Sequence, residues 1–327
     1  MTPEPTAAPS LSVIMVTPDR FARLWHTLER LRTQSAAAEI EIVVVAPSAA
    51  AAEVDGRDLA GFFGHRIVET GPATSSAVRR AAGVRAARAP VIAFTEDHCL
   101  PEPGWARALI DAHRRPWAAV GPAFRNGNPE SLTSWVNLLI EYGPWVSPVE
   151  PGPRGHIPPH NSSYKRDLLL EYGDRLEEML EAETVLQWDL RARGHELYLE
   201  PAAETSHYNV SLLGPTIPLR LAVGRMFGAA RVRGWSLGKR MAYVAASPLI
   251  PLVRFARMAP VARRAAGERG IFPRVLALLL AGLVVDGLGE ALGYSLGGGG
   301  AVARVTSFEY DRELNMRPSE RAALARP

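Results

Sequence analysis

The sequence has very little cysteine, and it does not begin like a secreted protein. Cys99 is the only cysteine among the 327 residues, which excludes an internal disulfide framework and a zinc cluster built from cysteines. We therefore expect a reducing compartment. The first ten residues contain Glu4 and no basic residue, so they do not resemble a cleaved secretory signal. The chain is 47% hydrophobic and 22% charged, an ordinary globular composition that allows a sizeable core.

Acidic residues are missing from one long stretch. Between Thr205 and Gly267 there is no Asp or Glu, but there are ten basic residues. Because the whole chain has a formal charge of +3 and this stretch has +10, the remainder carries −7. Two regions of opposite charge are expected to have different partners. The ten basic residues are Arg220, Arg225, Arg231, Arg233, Lys239, Arg240, Arg254, Arg257, Arg263 and Arg264.

Three short apolar runs in the first hundred residues predict buried parallel strands. These runs are 11–16, 40–45 and 91–94, and amphipathic stretches at 21–31 and 75–88 lie between them. Continuous rather than alternating apolar residues are typical of strands that are buried on both faces. We therefore predict an α/β fold with a Rossmann-like, mostly parallel sheet and helices on both faces. In such sheets, ligands bind at the carboxyl ends of the strands.

Polar residues follow two of these strands at the predicted ligand-binding edge. Thr17-Pro18-Asp19-Arg20 follows the first run, and Glu96-Asp97-His98 follows the third. The acidic triplet is either a polar turn or a set of ligands for a metal ion or a substrate. Further along, a Pro- and Gly-rich loop at 143–160 leads into His160 and Asn161, and a Glu-rich helix is predicted at 175–193.

Four segments, in this order, resemble the family 2 glycosyltransferases. They are VIMVTPDR (13–20), GPATSSAVRRAAGVRAARAPVIAFTEDHCLPEPGW (71–105), HNSSYKRDLL (160–169) and EAETVLQWDLRARGHELYLEPAAETSH (181–207). The likeness covers roughly residues 10–210. It implies a GT-A fold and an inverting transfer of a sugar from a nucleotide-diphosphate donor to a hydroxyl acceptor.

The resemblance also implies roles for individual residues. A divalent cation, Mn²⁺ or Mg²⁺, would neutralise the diphosphate, and an imidazole ligand favours Mn²⁺. Glu183 would be the general base, and Glu181, two positions away, is the alternative. Glu183 and Glu181 could instead belong to a solvated helix face, and His207 could be a structural histidine. The residues implied are Thr17, Pro18, Asp19, Arg20, Arg80, Glu96 and Asp97 for the donor, Glu96, His98 and His207 for the metal, and His160 and Asn161 on the acceptor side. Arg79 is a further candidate for the phosphates, although one of the two arginines is expected to be a surface charge.

Three positions depart from the family pattern. Ala46-Pro47 replaces an aspartate pair that holds the nucleobase, His98 replaces the last aspartate of the triplet, and Ala182-Glu183 replaces a Glu-Asp motif. A catalytically silent sugar- or nucleotide-binding protein of the same fold is therefore an alternative function. A nucleotidyltransferase is a second alternative, but it would need a Gly-rich phosphate loop after the first strand, and 17–20 has none.

The C-terminal part of the chain predicts membrane association. Its arginines alternate with apolar residues, which favours helices on anionic lipid, and it has no recognisable nucleic-acid-binding motif. The unbroken apolar run at 275–285 is shorter than the roughly 20 residues of a spanning helix. We predict a flexible N-terminus at 1–10, a catalytic domain at 11–210, a membrane-associated helical region at 211–300 and a polar tail at 301–327.

From these features we expect a protein that is peripheral to, or shallowly inserted in, the cytoplasmic face of the cell membrane. Its acceptor would then be a lipid or a lipid-linked, cell-envelope glycan, and nucleic acid is not an expected partner. The alternative is that the C-terminal helices simply pack on the catalytic domain.

Overall fold

A computed structural model describes residues 8–17, 21–49, 59–71, 75–267 and 269–324. Contacts divide the chain into two units. The sheet unit comprises Met1–Ala123, Glu150–Thr205 and Arg326–Pro327, and the helical unit comprises Phe124–Val149 and Ser206–Ala325. We describe each unit by itself.

The described residues form nine strands and thirteen α-helices. The strands are β1 (Leu11–Val16), β2 (Ile40–Ala46), β3 (Gly64–Glu69), β4 (Val91–Thr95), β5 (Cys99–Pro101), β6 (Ala119–Asn126), β7 (Gly152–Arg154), β8 (Ser163–Lys165) and β9 (Leu197–His207). The helices are α1 (Trp25–Arg32), α2 (Ser76–Ala86), α3 (Trp105–Ala112), α4 (Leu132–Tyr142), α5 (Arg166–Leu170), α6 (Leu176–Glu181), α7 (Glu183–Ala192), α8 (Leu213–Arg231), α9 (Leu237–Ala246), α10 (Leu249–Ala266), α11 (Phe272–Leu296), α12 (Ala301–Tyr310) and α13 (Pro318–Leu324).

The strands form one mixed sheet in the order β3-β2-β1-β4-β8-β6-β9-β5, with β7 paired to β9. The pairs β1–β2, β1–β4 and β2–β3 are parallel, whereas β4–β8, β6–β8 and β7–β9 are antiparallel. The predicted parallel sheet is thus confirmed for the three apolar runs, and β3 extends it. The antiparallel strands lie on the other side of β4.

Helices cover both faces of the sheet, which explains why the apolar runs are continuous. On β1, Leu11, Val13 and Met15 pack into one cluster with α1 and α3, while Ile14 packs into a second cluster with α2, α6 and α7. Successive side chains of a strand point to opposite faces, so a strand buried on both faces is apolar at most positions. The buried exceptions Ser12 on β1 and Glu41 on β2 are hydrogen-bonded to each other. The α/β prediction is therefore confirmed together with its physical reason.

The helical unit contains a closely packed pair of long helices, α8 and α11. Each carries two glycines four residues apart, which places both on one face: Gly224 and Gly228 on α8, and Gly289 and Gly293 on α11. A Cβ atom added at Gly228 would lie 2.5 Å from the backbone oxygen of Glu290. Glycines at this spacing allow two helix backbones to approach closely, as they do in membrane helix pairs.

Helix α11 is longer than the predicted apolar run. It spans 25 residues and is the one helix in the described ranges that is long and apolar enough to cross a membrane, or one of two if α9 and α10 together form a bent span. Buried core helices pass the same test of length and composition. The helix continues past the apolar run at 275–285 because Asp286 and Glu290 do not end it. Arg254 forms an ion pair with Asp286 and lies 3.5 Å from Glu290, and Tyr294 donates to Glu290 at 2.6 Å.

The predicted polar tail also has regular structure. Residues 301–310 and 318–324 are helical, and a 3₁₀ turn covers Arg312–Asn315. The backbone N–H groups of Ser211 and Leu212 donate to the carbonyl oxygen of Asn315 at 3.1 and 3.2 Å. These bonds fix the end of the chain within the helical unit.

The close approach of α8 and α11 predicts an asymmetric response to Gly→Ala substitutions. Gly228→Ala forces a methyl group onto the backbone of α11, so we expect a loss of about 1–3 kcal/mol of stability, the usual cost of overpacking. Gly238→Ala is the matched control, because Gly238 lies in α9 with open space around its Cα. Thermal unfolding in mild detergent measures both. A melting temperature for Gly228→Ala that equals the Gly238→Ala value would contradict the packing described.

Candidate active site

The first group of predicted site residues lies in the turn after β4. The side chains of Glu96, His98 and Cys99 place potential ligand atoms within 4.8 Å of one another. His98 Nε2 is 3.5 Å from Glu96 Oε2, and the Cys99 thiol lies 3.6 Å from the same oxygen. His98 Nδ1 is 2.7 Å from a carboxylate oxygen of Asp97. The carboxyl end of this strand therefore gathers two acids, an imidazole and a thiol.

Neighbouring elements hold this turn in place. The Thr27 hydroxyl on α1 lies 3.2 Å from the carbonyl oxygen of Glu96 and 3.3 Å from that of Asp97. The Asn161 amide donates to Glu96 Oε2 at 2.8 Å. Asn161, predicted on the acceptor side, and Glu96, predicted for donor and metal, thus meet although they are 65 residues apart.

The chemistry of these side chains fits a divalent cation. A carboxylate together with an imidazole is a ligand set that suits Mn²⁺, and the carboxylate alone suits Mg²⁺. The Asp97 contact to Nδ1 of His98 is the kind of partner that orients a ligating histidine. The Cys99 side chain is buried and adjacent, so it is a third possible ligand that the sequence analysis did not identify.

The second group is centred on Glu183, the first residue of α7. Its side chain has 0% exposure and forms an ion pair with Arg80, whose own side chain is 11% exposed. The Tyr164 hydroxyl donates to Oε2 at 3.0 Å, and the backbone N–H of His160 donates to Oε1 at 3.0 Å. Both carboxylate oxygens are therefore satisfied, as the burial of a charge requires.

Burial sets the proton affinity of this group. Removal from water raises the pKa of Glu183 above its usual value, although the Arg80 guanidinium and the Tyr164 hydroxyl oppose that rise. Burial also raises the pKa of Tyr164 well above its usual value, so this residue keeps its proton and donates to the carboxylate. Gln187 donates to the Tyr164 oxygen at 3.1 Å and accepts from the backbone of Ile157 at 2.9 Å.

His160 has an unusual backbone conformation beside Glu183. Its φ of 67° makes it the one residue other than glycine with positive φ in the ranges that the structure describes. Such a conformation is costly for a residue with a side chain, and it is enriched at functional sites. Here it directs the backbone N–H at Glu183 and leaves Nδ1 3.5 Å from the same oxygen. The predicted acceptor-side segment therefore touches the predicted base.

The two predicted phosphate-binding arginines are both buried, contrary to the expectation that one would be a surface charge. Arg79 donates to the carbonyl oxygen of Thr17 at 3.3 Å, which fixes the end of β1. Arg80, besides its contact with Glu183, lies 3.2 and 3.1 Å from the Ser76 hydroxyl through two of its nitrogens. The buried face of helix α2 includes two guanidinium groups, which is unusual because arginine normally lies on the exposed face of a helix.

The remaining predicted residues lie outside the two groups around Glu96 and Glu183, or outside the described residues. Thr17 is buried at the end of β1, and Pro18, Asp19 and Arg20 lie outside the described residues. Glu181 is the last residue of α6, and it is half-buried and separated from Glu183 by the break at Ala182. Its proposed role as the alternative base stays a prediction.

His207, the last residue of β9, belongs to the helical unit. Its Nδ1 lies 2.8 Å from Oδ1 of Asn209. The Asn209 amide nitrogen lies 3.0 Å from the backbone oxygen of His207 and 3.3 Å from the side-chain oxygens of Asn126 and Ser134. These contacts assign the amide oxygen to the histidine, so the neutral ring carries its proton on Nδ1 and a lone pair on Nε2. That tautomer suits a metal ligand.

Sequence reasoning missed Tyr164, Gln187 and Cys99. Tyr164 stands within the segment HNSSYKRDLL, and Cys99 directly follows the acidic triplet, so their positions were a usable signal. Gln187 gave no such signal, because a glutamine four residues into a helix is normally exposed.

The comparisons with known proteins concern the family and the fold. Residues 12–173 match the family model described as glycosyl transferase family 2. No curated protein matches the chain. Among solved structures, the chain is similar to a mannosyltransferase from Pyrobaculum calidifontis in complex with GDP-Man and Mn²⁺, with 17% identity, a TM-score of 0.52, and coverage of 88% of this chain and 89% of that one. It is also similar to residues 1–349 of TarS from S. aureus, with 13% identity, a TM-score of 0.45, and coverage of 88% and 91%.

The buried Arg80–Glu183 pair predicts a large difference between two arginines of the same helix. Arg80→Gln leaves the Glu183 charge buried without its counter-ion, so we expect a loss of about 3–5 kcal/mol. Arg85→Gln is the matched control, because Arg85 pairs with Glu177 at 3.1 Å on the exposed surface and should cost below about 1 kcal/mol. Urea unfolding followed by circular dichroism measures both. Equal midpoints for the two variants would show that the buried pair contributes no more than the surface pair.

Proposed function

Because residues 12–173 form a glycosyl transferase family 2 domain, we propose that the protein transfers a sugar from a nucleotide-diphosphate donor to a hydroxyl acceptor with inversion at the anomeric carbon. The observation that carries this proposal is the convergence of residues from three separate motifs within the sheet unit. Asn161 donates to Glu96, the neighbouring His160 donates to Glu183, and Glu183 pairs with Arg80.

Glu96 and His98 are proposed to hold a divalent cation, with His207 as the further ligand that the sequence predicts. When bound, such a cation neutralises the charge that develops on the diphosphate leaving group. The mannosyltransferase of similar fold, described with GDP-Man and Mn²⁺, supports both the nucleotide-sugar donor and the choice of metal. Asp97 and Asn161 orient His98 and Glu96 through the contacts given above.

Glu183 is proposed to be the general base. The acceptor hydroxyl loses its proton to this carboxylate as its oxygen attacks the anomeric carbon and the bond to the diphosphate breaks. Arg80 favours the ionised carboxylate that accepts the proton, while burial raises its pKa toward the range in which a base is effective. To reach Glu183, the acceptor hydroxyl must replace one of the donors now on the carboxylate, and the N–H of His160 is on the acceptor-side segment.

A catalytically silent nucleotide- or sugar-binding protein is the second candidate. The complete burial of Glu183 favours it, since a carboxylate with both oxygens already bonded can be a purely structural partner of Arg80. Turnover separates the two functions, because a binding protein shows affinity for a nucleotide sugar without hydrolysis or transfer.

The helical unit supports a membrane-bound acceptor. It contains α11, which is apolar and long enough to insert, and the acid-free stretch from Thr205 to Gly267. A basic, apolar surface suits the anionic cytoplasmic leaflet. We therefore propose that the protein works at the cytoplasmic face of the cell membrane on a lipid or lipid-linked glycan.

His98→Ala tests the metal site. Removing an imidazole ligand should weaken Mn²⁺ binding at least about tenfold, a typical effect of disturbing a metal site, and donor binding should become less dependent on metal. Isothermal titration with Mn²⁺, and then with nucleotide sugars in its presence, measures both. His65→Ala is the control, because His65 lies on the exposed surface of β3. Unchanged Mn²⁺ affinity in His98→Ala would remove His98 from the site.

Glu183→Gln tests the base. The amide preserves shape and removes basicity, so turnover should fall by about 10² or more while donor affinity changes little. In the active protein, the acidic limb of the pH–rate profile should lie above the usual glutamate range, because Glu183 has a raised pKa and must be deprotonated to act. Glu181→Gln is the matched control. If Glu181→Gln loses turnover and Glu183→Gln does not, the base is Glu181.

A further inference from the structure

Residues 241–256 of the helical unit form an exposed surface without charge, which we call the apolar bend. The segment covers the last part of α9, the break at Ser247-Pro248 and the first half of α10, and the two helices meet at a bend of 59°. Every exposed residue within it is apolar: Met241, Ala242, Ala245, Ala246, Pro248, Leu249, Leu252, Val253 and Ala256. Its large side chains are unusually open to solvent, at 53% for Met241, 60% for Leu249 and 58% for Leu252.

Two polar side chains of this segment are bonded within the helical unit. Arg254 is its only charged residue, and its guanidinium pairs with Asp286 and donates to the carbonyl oxygen of Ile140 at 3.1 Å. Ser247 is buried, and its hydroxyl donates to the carbonyl oxygen of Val244 at 2.7 Å. The exposed residues of this segment are therefore all apolar, while Arg254 and Ser247 are engaged within the helical unit.

Basic residues flank the apolar bend at both ends. Lys239 precedes it, with its ammonium 3.9 Å from the ring centroid of Trp235, and the exposed Arg257, Arg263 and Arg264 follow it. Lysine, arginine and tryptophan are the side chains that occupy the headgroup region at the border of a membrane. No acidic residue lies between Thr205 and Gly267 to oppose anionic headgroups.

The length of the apolar bend limits how deeply it can enter a membrane. Helix α9 has 10 residues, so it is about 15 Å long, half of a hydrocarbon core of about 30 Å. A bend of 59° also prevents the pair from crossing as one straight helix. These dimensions suit a wedge that enters one leaflet and returns.

We propose that the apolar bend is the membrane-inserting element of this protein, and that its occupant is the acyl layer of an anionic phospholipid leaflet. The proposal rests on the proposed function in one respect: a membrane-bound acceptor requires the protein to sit at the bilayer. Charge complementarity with the flanking basic residues selects the anionic leaflet, and the uncharged outer surface selects its apolar layer. Insertion into acyl chains is not screened by salt, whereas headgroup attraction is.

The first test is flotation of the full-length protein with vesicles of phosphatidylcholine containing about one third phosphatidylglycerol. We expect the wild-type protein to float and to stay bound in about 1 M NaCl, where surface charges are screened. Leu249→Asp with Leu252→Asp should reduce the floating fraction at least about tenfold, because the bilayer core strongly disfavours carboxylates. Leu314→Asp is the matched control, because Leu314 is 64% exposed elsewhere in the helical unit.

The second test reports the location directly. Leu249→Cys, labelled with an environment-sensitive fluorophore, should shift its emission to the blue on these vesicles and become protected from iodide, and Arg263→Cys should stay accessible. The wild-type protein gives the background, since Cys99 is fully buried. A label at Leu249 that stays quenchable while the protein floats would overturn the proposal, as would equal losses of flotation in Leu314→Asp and the double variant.

Two further measurements distinguish membrane insertion from dimerisation and from the proposed catalytic function. If the wild-type protein is a dimer and the double variant is a monomer that still floats, the apolar bend is an interface between two copies and the proposal is wrong. Mn²⁺-dependent hydrolysis of nucleotide sugars without lipid should be unchanged in the double variant, because Leu249 and Leu252 are not among the residues proposed to bind the donor, the metal or the acceptor. Flotation without any hydrolysis or transfer by the wild-type protein would reject the proposed function and leave the membrane insertion standing.

Discussion

The sheet unit depends on one buried interaction, the ion pair between Arg80 and Glu183. A carboxylate with no exposure is tolerated only when a counter-ion and hydrogen-bond donors replace water around it. Around this carboxylate, α2 turns Arg80 inward, β8 directs the Tyr164 hydroxyl at it, and α7 begins at Glu183 itself. His160, in a left-handed backbone conformation, donates its N–H to the same carboxylate.

The fold was predictable where burial acts on every residue of a segment. The apolar runs of β1, β2 and β4 could be recognised without knowledge of their neighbours, since a strand covered on both faces is apolar at most positions. Strands β7 and β8 could not be predicted, because their own residues show no pattern. Each has three residues, too few to show a period, and each exists because its partners β9 and β4 supply the hydrogen bonds.

The sequence named candidate residues for the site but not their pairings. It placed Glu96 at the end of a predicted strand, and the resemblance added Asn161 and Glu183 as candidates, which the structure joins to Glu96 and Arg80 respectively. No local pattern reveals that Arg80 pairs with Glu183, because these two residues are 103 positions apart and an arginine on a helix is normally a surface charge. The partner of a buried charge is known only from the tertiary structure, whereas the position of a strand end can be predicted from the sequence.

The helical unit also contains a buried acid that needs a counter-ion, and there the pairing affects the surface of the unit. The apolar run in the sequence stops at Asp286, because a carboxylate interrupts it. Arg254, 32 residues earlier, pairs with that carboxylate and so lets α11 continue for ten more residues. The same pairing withdraws the only charge from the segment 241–256. Arg254 thus pairs with a buried acid within α11, and it leaves the exposed residues of the segment 241–256 apolar.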